Sequence, residues 1–197
     1  MIRASLLAAT LALTGCAAPD YRPDYIGLQG NIGVPQNTHN DDRHEASSEA
    51  SPALAGMAGW TVNDWLAVEG RAAWWHQRAH GYNPHGPDFR ESVNGTFDAV
   101  TLQGCPVVSW PGLWAKPYAR ACVGPGYAWG DTTRSSITGQ RSDFSRTVLA
   151  YEGALGIERE IGGGVAARLE GGYASADPIE QLFAGAALVY RFEVPGK

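Results

Sequence analysis

Five histidines crowd one part of the chain: His39, His44, His76, His80 and His85, accompanied by Asp41, Asp42, Glu45, Asp88 and Glu91. Neutral imidazoles beside carboxylates suit zinc, copper or nickel, so all five are candidate metal ligands. No pair among them has the spacing of a helical or finger-type site. Because histidine titrates near neutrality, the same group is also a candidate pH-responsive surface. A hydrolytic reading needs a nucleophile and a base. Ser92, Ser135 or Ser136 would have to meet His44, His80 or His85, oriented by Asp88 or Asp131. No local motif ties these residues together. The chain has no CxxC, no HExxH and no phosphate-cradling glycine loop, and Gly162-Gly163-Gly164 reads as a hairpin turn. No cofactor is expected, and a catalytic role is not the leading one.

Composition narrows the partners. Fifteen Lys and Arg against 20 Asp and Glu give a formal charge of -5 over 197 residues, leaving no basic field to hold phosphates. Nucleic acid is therefore not an expected partner. Lys116 and Lys197 are the only lysines. Soluble β-proteins cover their outer face with charged side chains, so this scarcity points away from a water-facing exterior.

The elements that must position these residues are strands. Eight segments alternate apolar and polar residues: 24–33, 52–62, 65–78, 96–110, 116–129, 145–160, 165–175 and 179–192. Their connectors run long, short, long, short, long, short, short. An antiparallel up-and-down barrel with its large loops gathered at one end has this rhythm. Asn63-Asp64, Pro111-Gly112, the triple glycine and Asp177-Pro178 supply the turns. One domain accommodates the whole.

Alternation sorts two faces. Leu66, Val68, Ala72 and Trp74 oppose Glu69 and Arg71; Leu149, Tyr151, Leu155 and Ile157 oppose Glu152 and Glu158; Val165, Ala167, Leu169 and Tyr173 oppose Arg168 and Glu170. Leu182 to Phe192 repeats the pattern against Gln181 and Arg191, and Arg120 shares its face with Cys122, Gln103 and Cys105. One face is apolar and aromatic. The other holds Glu69, Arg71, Arg120, Glu152, Glu158, Arg168, Glu170 and Arg191 among small residues. Trp60, Trp65, Trp110 and Trp114 by the short turns, with Trp75 and Trp129 near the long loops, read as paired interfacial girdles. The apolar face is then expected outward, in lipid, and the charged face inside. Eight strands leave an interior just wide enough for side chains to fill. The charges are accordingly read as a packed lumen network, with a gated ion or proton path through Glu69, Arg71, Arg120 and Glu170 as the functional alternative.

The ends of the chain carry addresses. Arg3 and the apolar run Ser5 to Leu13 form a short targeting segment, too brief to span a bilayer. It closes in Leu13-Thr14-Gly15-Cys16, which resembles a bacterial lipobox; that resemblance implies cleavage before Cys16, lipid on its sulfur, and, with Ala17 following, export to the outer membrane. At the other end Leu188-x-Tyr190-x-Phe192, with Gly185 upstream, is similar to the signal that small outer-membrane barrels present to the insertion machinery. Over nearly its whole length the chain resembles the small eight-stranded OmpA-like and opacity-type barrels. Members of that family normally end at the aromatic and carry an ordinary signal peptide, whereas here Glu193 to Lys197 continue and a lipobox precedes.

What the resemblance implies is an all-β, eight-stranded antiparallel transmembrane barrel in a bacterial outer membrane. Its loops would be extracellular and its termini periplasmic. Expected partners are outer-membrane lipid and lipopolysaccharide, the barrel-insertion machinery, and a surface ligand taken by the loops. The expected divisions are a lipoprotein-type signal peptide (1–15), a spacer (16–23), the barrel (24–192) and a tail (193–197). Cys105 and Cys122 remain as a candidate cross-strand disulfide, subject to pairing register, whose loop of about 16 residues would stabilise by roughly 3 kcal/mol; the alternative is two unpaired buried thiols. The expected role is non-catalytic, structural or surface-binding. Two alternatives stay open. One is a lipid A-modifying barrel enzyme, although the deacylase barrels carry a His and Ser close together in their last strands and no histidine lies there here. The other is a soluble, lipid-anchored lipocalin-like carrier, which would turn the apolar face inward but lacks the early Gly-x-Trp signature at Gly27-Leu28-Gln29-Gly30.

Overall fold

The computed structural model describes residues 22–36, 45–83, 91–110, 114–135, 141–177 and 179–192. Nine strands follow one another: β1 (Tyr25–Pro35), β2 (Glu45–Ser48), β3 (Ser51–Thr61), β4 (Leu66–Asn83), β5 (Glu91–Ser109), β6 (Lys116–Ser135), β7 (Arg141–Gly162), β8 (Val165–Ala176) and β9 (Ile179–Arg191). All pairings are antiparallel, β1 lies between β3 and β9, and a β4–β5 pairing closes the ring. Eight strands form the wall. β2 continues the line of β3 along β4, pairing Glu45 with Tyr82 and Ser48 with Ala79.

Register gives the shape of the ring. A path from Ile26 across Ala58, Gly70, Gly104, Val123, Tyr151, Ser175 and Glu180 returns to β1 at Gln36, whose N–H donates to the Glu180 carbonyl at 2.8 Å. The return point lies ten residues beyond the start, a shear of ten over eight strands, which tilts the strands within the usual ~35–45°.

The short turns are locally determined. The Asn63 side-chain oxygen accepts the N–H groups of Trp65 at 3.0 Å and Leu66 at 2.9 Å, an Asx turn that reverses the chain. Gly163 and Gly164 have φ of +62° and +76°, the left-handed pair that a tight type I′ hairpin needs.

The apolar face points out. Leu28, Leu155 and Leu188 are 67%, 69% and 61% exposed, whereas Glu69 and Arg71 are 0% exposed. A soluble carrier would show the reverse, so the lipocalin-like alternative is set aside. Trp60, Trp65, Trp110 and Trp114 lie exposed toward the short-turn end. Toward the other end stand Trp74, Tyr127 and Tyr151, the last beside Tyr173 with ring centroids 6.2 Å apart.

Two expectations are corrected. Trp75 is not a girdle residue: it is 2% exposed inside the barrel, edge-on to Phe183 at 6.1 Å. Its parity follows Arg71 and Ala73, and Trp74 holds the outer position. The second correction concerns the long connectors, expected at 34–51, 79–95 and 130–144. Much of that sequence is strand. β4 to β7 run 18, 19, 20 and 22 residues, against 11 to 13 for β1, β3, β8 and β9. One side of the barrel is therefore drawn out into a ribbon.

Candidate functional site

The interior is built in layers. Nearest the short turns is a cavity of about 310 Å³, lined by turn residues such as Asn63, Asp64 and Lys116 and floored by Tyr25, Tyr118, Glu158, Arg168 and Arg191. Above it four glutamates meet four arginines. Arg168 Nη1 donates to Glu69 Oε1 at 2.5 Å and its Nε to Glu158 Oε2 at 2.7 Å. The same guanidinium lies 5.2 Å from the ring centroids of both Tyr25 and Tyr118 and 3.5 Å from the Met57 sulfur. Arg191 completes this group through Glu158 Oε1 at 2.5 Å. Tyr25 donates its hydroxyl to Glu69 Oε1 at 2.8 Å.

A second group lies higher. Arg120 Nη2 donates to Glu152 Oε1 and Glu170 Oε1, each at 2.5 Å, and Tyr118 donates to Glu170 Oε2 at 2.7 Å. Arg71 Nε is 3.5 Å from Glu152 Oε2, and its Nη1 donates to Gln29 Oε1 at 2.5 Å. Gln29 in turn donates to Glu170 and to Asn31. All eight charged residues named from the sequence thus lie in one lumen. The set is neutral, four against four, and the partners sit on different strands. Buried charges are tolerable only when paired and hydrogen-bonded. Each of the eight has an oppositely charged partner, while Glu69 Oε2, Glu152 Oε2 and Arg71 Nη2 accept or donate no hydrogen bond among the described residues. Four further participants, Tyr25, Gln29, Asn31 and Tyr118, carry no charge and drew no notice as partners. Strand parity with Gln29 and with Arg120 would have placed the two tyrosines inside. Gly59 and Gly156 leave the space their rings occupy, since a Cβ at either would run into the ring.

Above the charges the lumen turns mainly to small and aromatic side chains, with Thr101, Gln103 and Gln181 buried among them. Ala53, Ala55, Ala73, Ala99, Ala128, Ala150 and Ala174 pack with Trp75, Ile179 and Phe183. Small side chains from every side leave room for one indole and one phenyl ring. The charged layer and the aromatic layer above it fill the lumen with side chains. An ion path through Glu69, Arg71, Arg120 and Glu170 would also have to pass Trp75 and Phe183.

Cys105 and Cys122 are bonded, with Cα atoms 4.2 Å apart. They face each other on β5 and β6, one step from the Gly104–Val123 pair, in the narrow type of antiparallel position. Arg120 Nη1 lies 3.6 Å from the Cys122 sulfur.

Outside the lumen the proposed chemistry is sparse. His76 is on the outer face of β4, its Nδ1 3.0 Å from Asp98 Oδ1 and its ring stacked on Trp74 at 5.9 Å. Trp74 Nε1 donates to the same oxygen at 3.2 Å. His39, His44 and His85 lie outside the described residues, as do Asp41, Asp42, Asp88 and Ser136. His80 stands opposite Asn94 and Ser92 opposite Ser135 in the strand register. Among the described residues, no three His, Cys, Asp or Glu gather as a metal site. Cys16 also lies outside the described residues.

Comparisons with known proteins agree with the architecture. The chain matches a family model described as "Outer membrane protein beta-barrel domain" over residues 5–192. No curated protein sequence matches. Among solved structures, the chain is similar to OprG from Pseudomonas aeruginosa (TM-score 0.55, 12% identity, covering 88% of this chain and 98% of that one). It is also similar to Ail, the attachment invasion locus protein of Yersinia pestis (0.53, 15%, 87% and 99%), and to Neisserial surface protein A (0.51, 14%, 85% and 96%). At such identities the likeness is one of fold. With an apolar exterior, a filled lumen and a family match over nearly its full length, the chain belongs to the outer membrane protein β-barrel domain family.

Proposed function

We propose that this protein is a non-catalytic surface protein of a bacterial outer membrane, in which the barrel is an anchor and the drawn-out ribbon is the binding element. The observation that carries this reading is the mismatch in strand length. β8 ends at Ala176, which pairs with Ala150 of β7, so β7 from Arg141 to Leu149 has β6 on one side and no strand on the other among the described residues. Such an edge can take an extended peptide as an added strand, with main-chain hydrogen bonds giving affinity. The lumen, in contrast, is filled by side chains through its charged and aromatic layers.

In this reading the ribbon and the connectors at 37–44, 84–90 and 136–140 face outward. Both barrel ends, near Asp24 and Phe192, face the periplasm. Outer-membrane lipid and lipopolysaccharide surround the apolar face, and the insertion machinery delivers the chain. Replacing residues 79–95 and 130–144 by two-residue turns tests the division of labour. The shortened barrel should still migrate faster unheated than boiled, while expressing cells lose adhesion to immobilised peptides or proteins that bind the full-length form. Unchanged adhesion would remove the ribbon from the function.

Lipidation at Cys16 is part of the same proposal, with residues 1–15 removed as signal, 16–23 as a spacer and 193–197 as a tail. Cys16→Ser should abolish incorporation of radiolabelled palmitate. The variant should nevertheless remain in the outer-membrane fraction, because the apolar wall holds it there without an acyl chain. Release of the variant into the soluble fraction would show that the wall does not hold it.

A further inference from the structure

The lumen disulfide raises a question of access. Cys105 is 0% and Cys122 4% exposed. From the short-turn end, the cavity reaches Val107 and Tyr118 but neither cysteine, and Arg168 and Tyr118 form its floor. From the other end, Trp75, Phe183 and the alanines fill the barrel. At the level of the sulfurs, Arg120 lies against Cys122 and is itself held by Glu152 and Glu170. The wall offers no third route, because β5 is paired with β4 without a break past Cys105 and keeps one register with β6 on both sides of it, at Gly104–Val123 and Val107–Arg120.

Thiol–disulfide exchange requires an incoming sulfur to approach a cysteine sulfur along the line of the bond that will break, through a mixed disulfide with the donor. A protein donor cannot place its own sulfur inside this lumen. In the unfolded chain, by contrast, the two cysteines are 17 residues apart across the Trp110–Lys116 turn, and both are open.

We propose that Cys105 and Cys122 are joined before the barrel closes, by a thiol–disulfide oxidase of the periplasm acting on the unfolded chain, so that β5 and β6 enter assembly already linked. One cysteine thiolate attacks the oxidase disulfide, forming a mixed disulfide and expelling one oxidase thiolate. The second cysteine thiolate attacks the chain's sulfur in that mixed disulfide, forming the Cys105–Cys122 bond and expelling the other oxidase thiolate. The chain loses two protons and two electrons, and the oxidase becomes a dithiol. Closure then seals the product between two filled layers.

The order of events is directly measurable. Cells expressing the full chain are pulse-labelled, quenched with N-ethylmaleimide at short intervals, and run unheated without reductant. The disulfide should appear first in the species that lacks folded mobility, and the folded species should be oxidised from its first appearance. As a second measurement, the reduced chain is refolded into detergent and given a purified periplasmic dithiol oxidase. Its oxidation should be slower than that of the urea-unfolded chain by roughly 100-fold or more, because access requires opening of a cooperative unit. A reduced chain that never reaches folded mobility supports the same order. Folded protein with free thiols in the cell, transient or permanent, overturns it, as does enzymatic oxidation of the folded form at the unfolded rate.

Discussion

Replacing Arg168 with methionine should destabilise the barrel by about 3–5 kcal/mol, the loss expected when one partner of a buried ion pair is removed. Arg168 is the side chain on which the lower lumen converges. It holds Glu69 and Glu158 and stacks over Tyr25 and Tyr118. Without it Glu69 is a fully buried carboxylate that keeps the Tyr25 hydroxyl as a hydrogen-bond donor and feels Arg71 and Arg120 only at longer range. Glu158 fares better, since Arg191 still reaches it. The penalty therefore falls mainly on Glu69, and a second substitution should relieve it. The double variant Arg168→Met with Glu69→Gln should recover a large part of the loss, because a neutral amide replaces the stranded charge. The midpoint of the heat-induced mobility shift, followed with urea titration in detergent, reports both effects. An Arg168→Met protein within ~1 kcal/mol of the parent would mean that water reaches the lumen and solvates Glu69.

A charge placed on the outer wall should cost nearly as much for the opposite reason. Leu155 is 69% exposed on β7, between the Tyr151 level and the short-turn end. Leu155→Arg should destabilise by about 2–4 kcal/mol, since no paired partner exists in hydrocarbon. Ile161 is equally exposed but lies at the end of the same strand beside the triple-glycine turn. Ile161→Arg should cost only ~0–1 kcal/mol, because an arginine at the interface reaches the headgroups. Refolding into lipid vesicles with urea titration gives both numbers. Equal costs at the two positions would mean that the wall is not graded by membrane depth.

These predictions can be made because the wall was legible. On Glu69–Arg71, Glu152 and Arg168–Glu170 each charge is flanked by apolar or glycine residues of opposite parity, so alternation alone separates lumen from lipid. The pairing inside was not legible. Which glutamate meets which arginine depends on register and shear; Arg168 and Glu69 are 99 residues apart. The ribbon was hidden for another reason. Stretches such as 130–135 and 141–148 carry polar residues at positions of both parities, so they lack the contrast that marks a strand. Trp75 shows a different failure. Its parity with Arg71 was available, but adjacency to Trp74 and nearness to a loop suggested a girdle.

The ring's shear of ten bears on how such a chain can change length. Within a wall strand, adding or deleting one residue would turn every later side chain through the wall, carrying arginines into lipid and leucines into the lumen. Two residues would preserve the facing but slide the strand against both neighbours, altering the tilt of the entire ring. Viable length variants of this protein should therefore cluster in the connectors and along the ribbon, which the proposed function sets outside the membrane. Homologues would then diverge in how far they reach from the surface while keeping one cross-section.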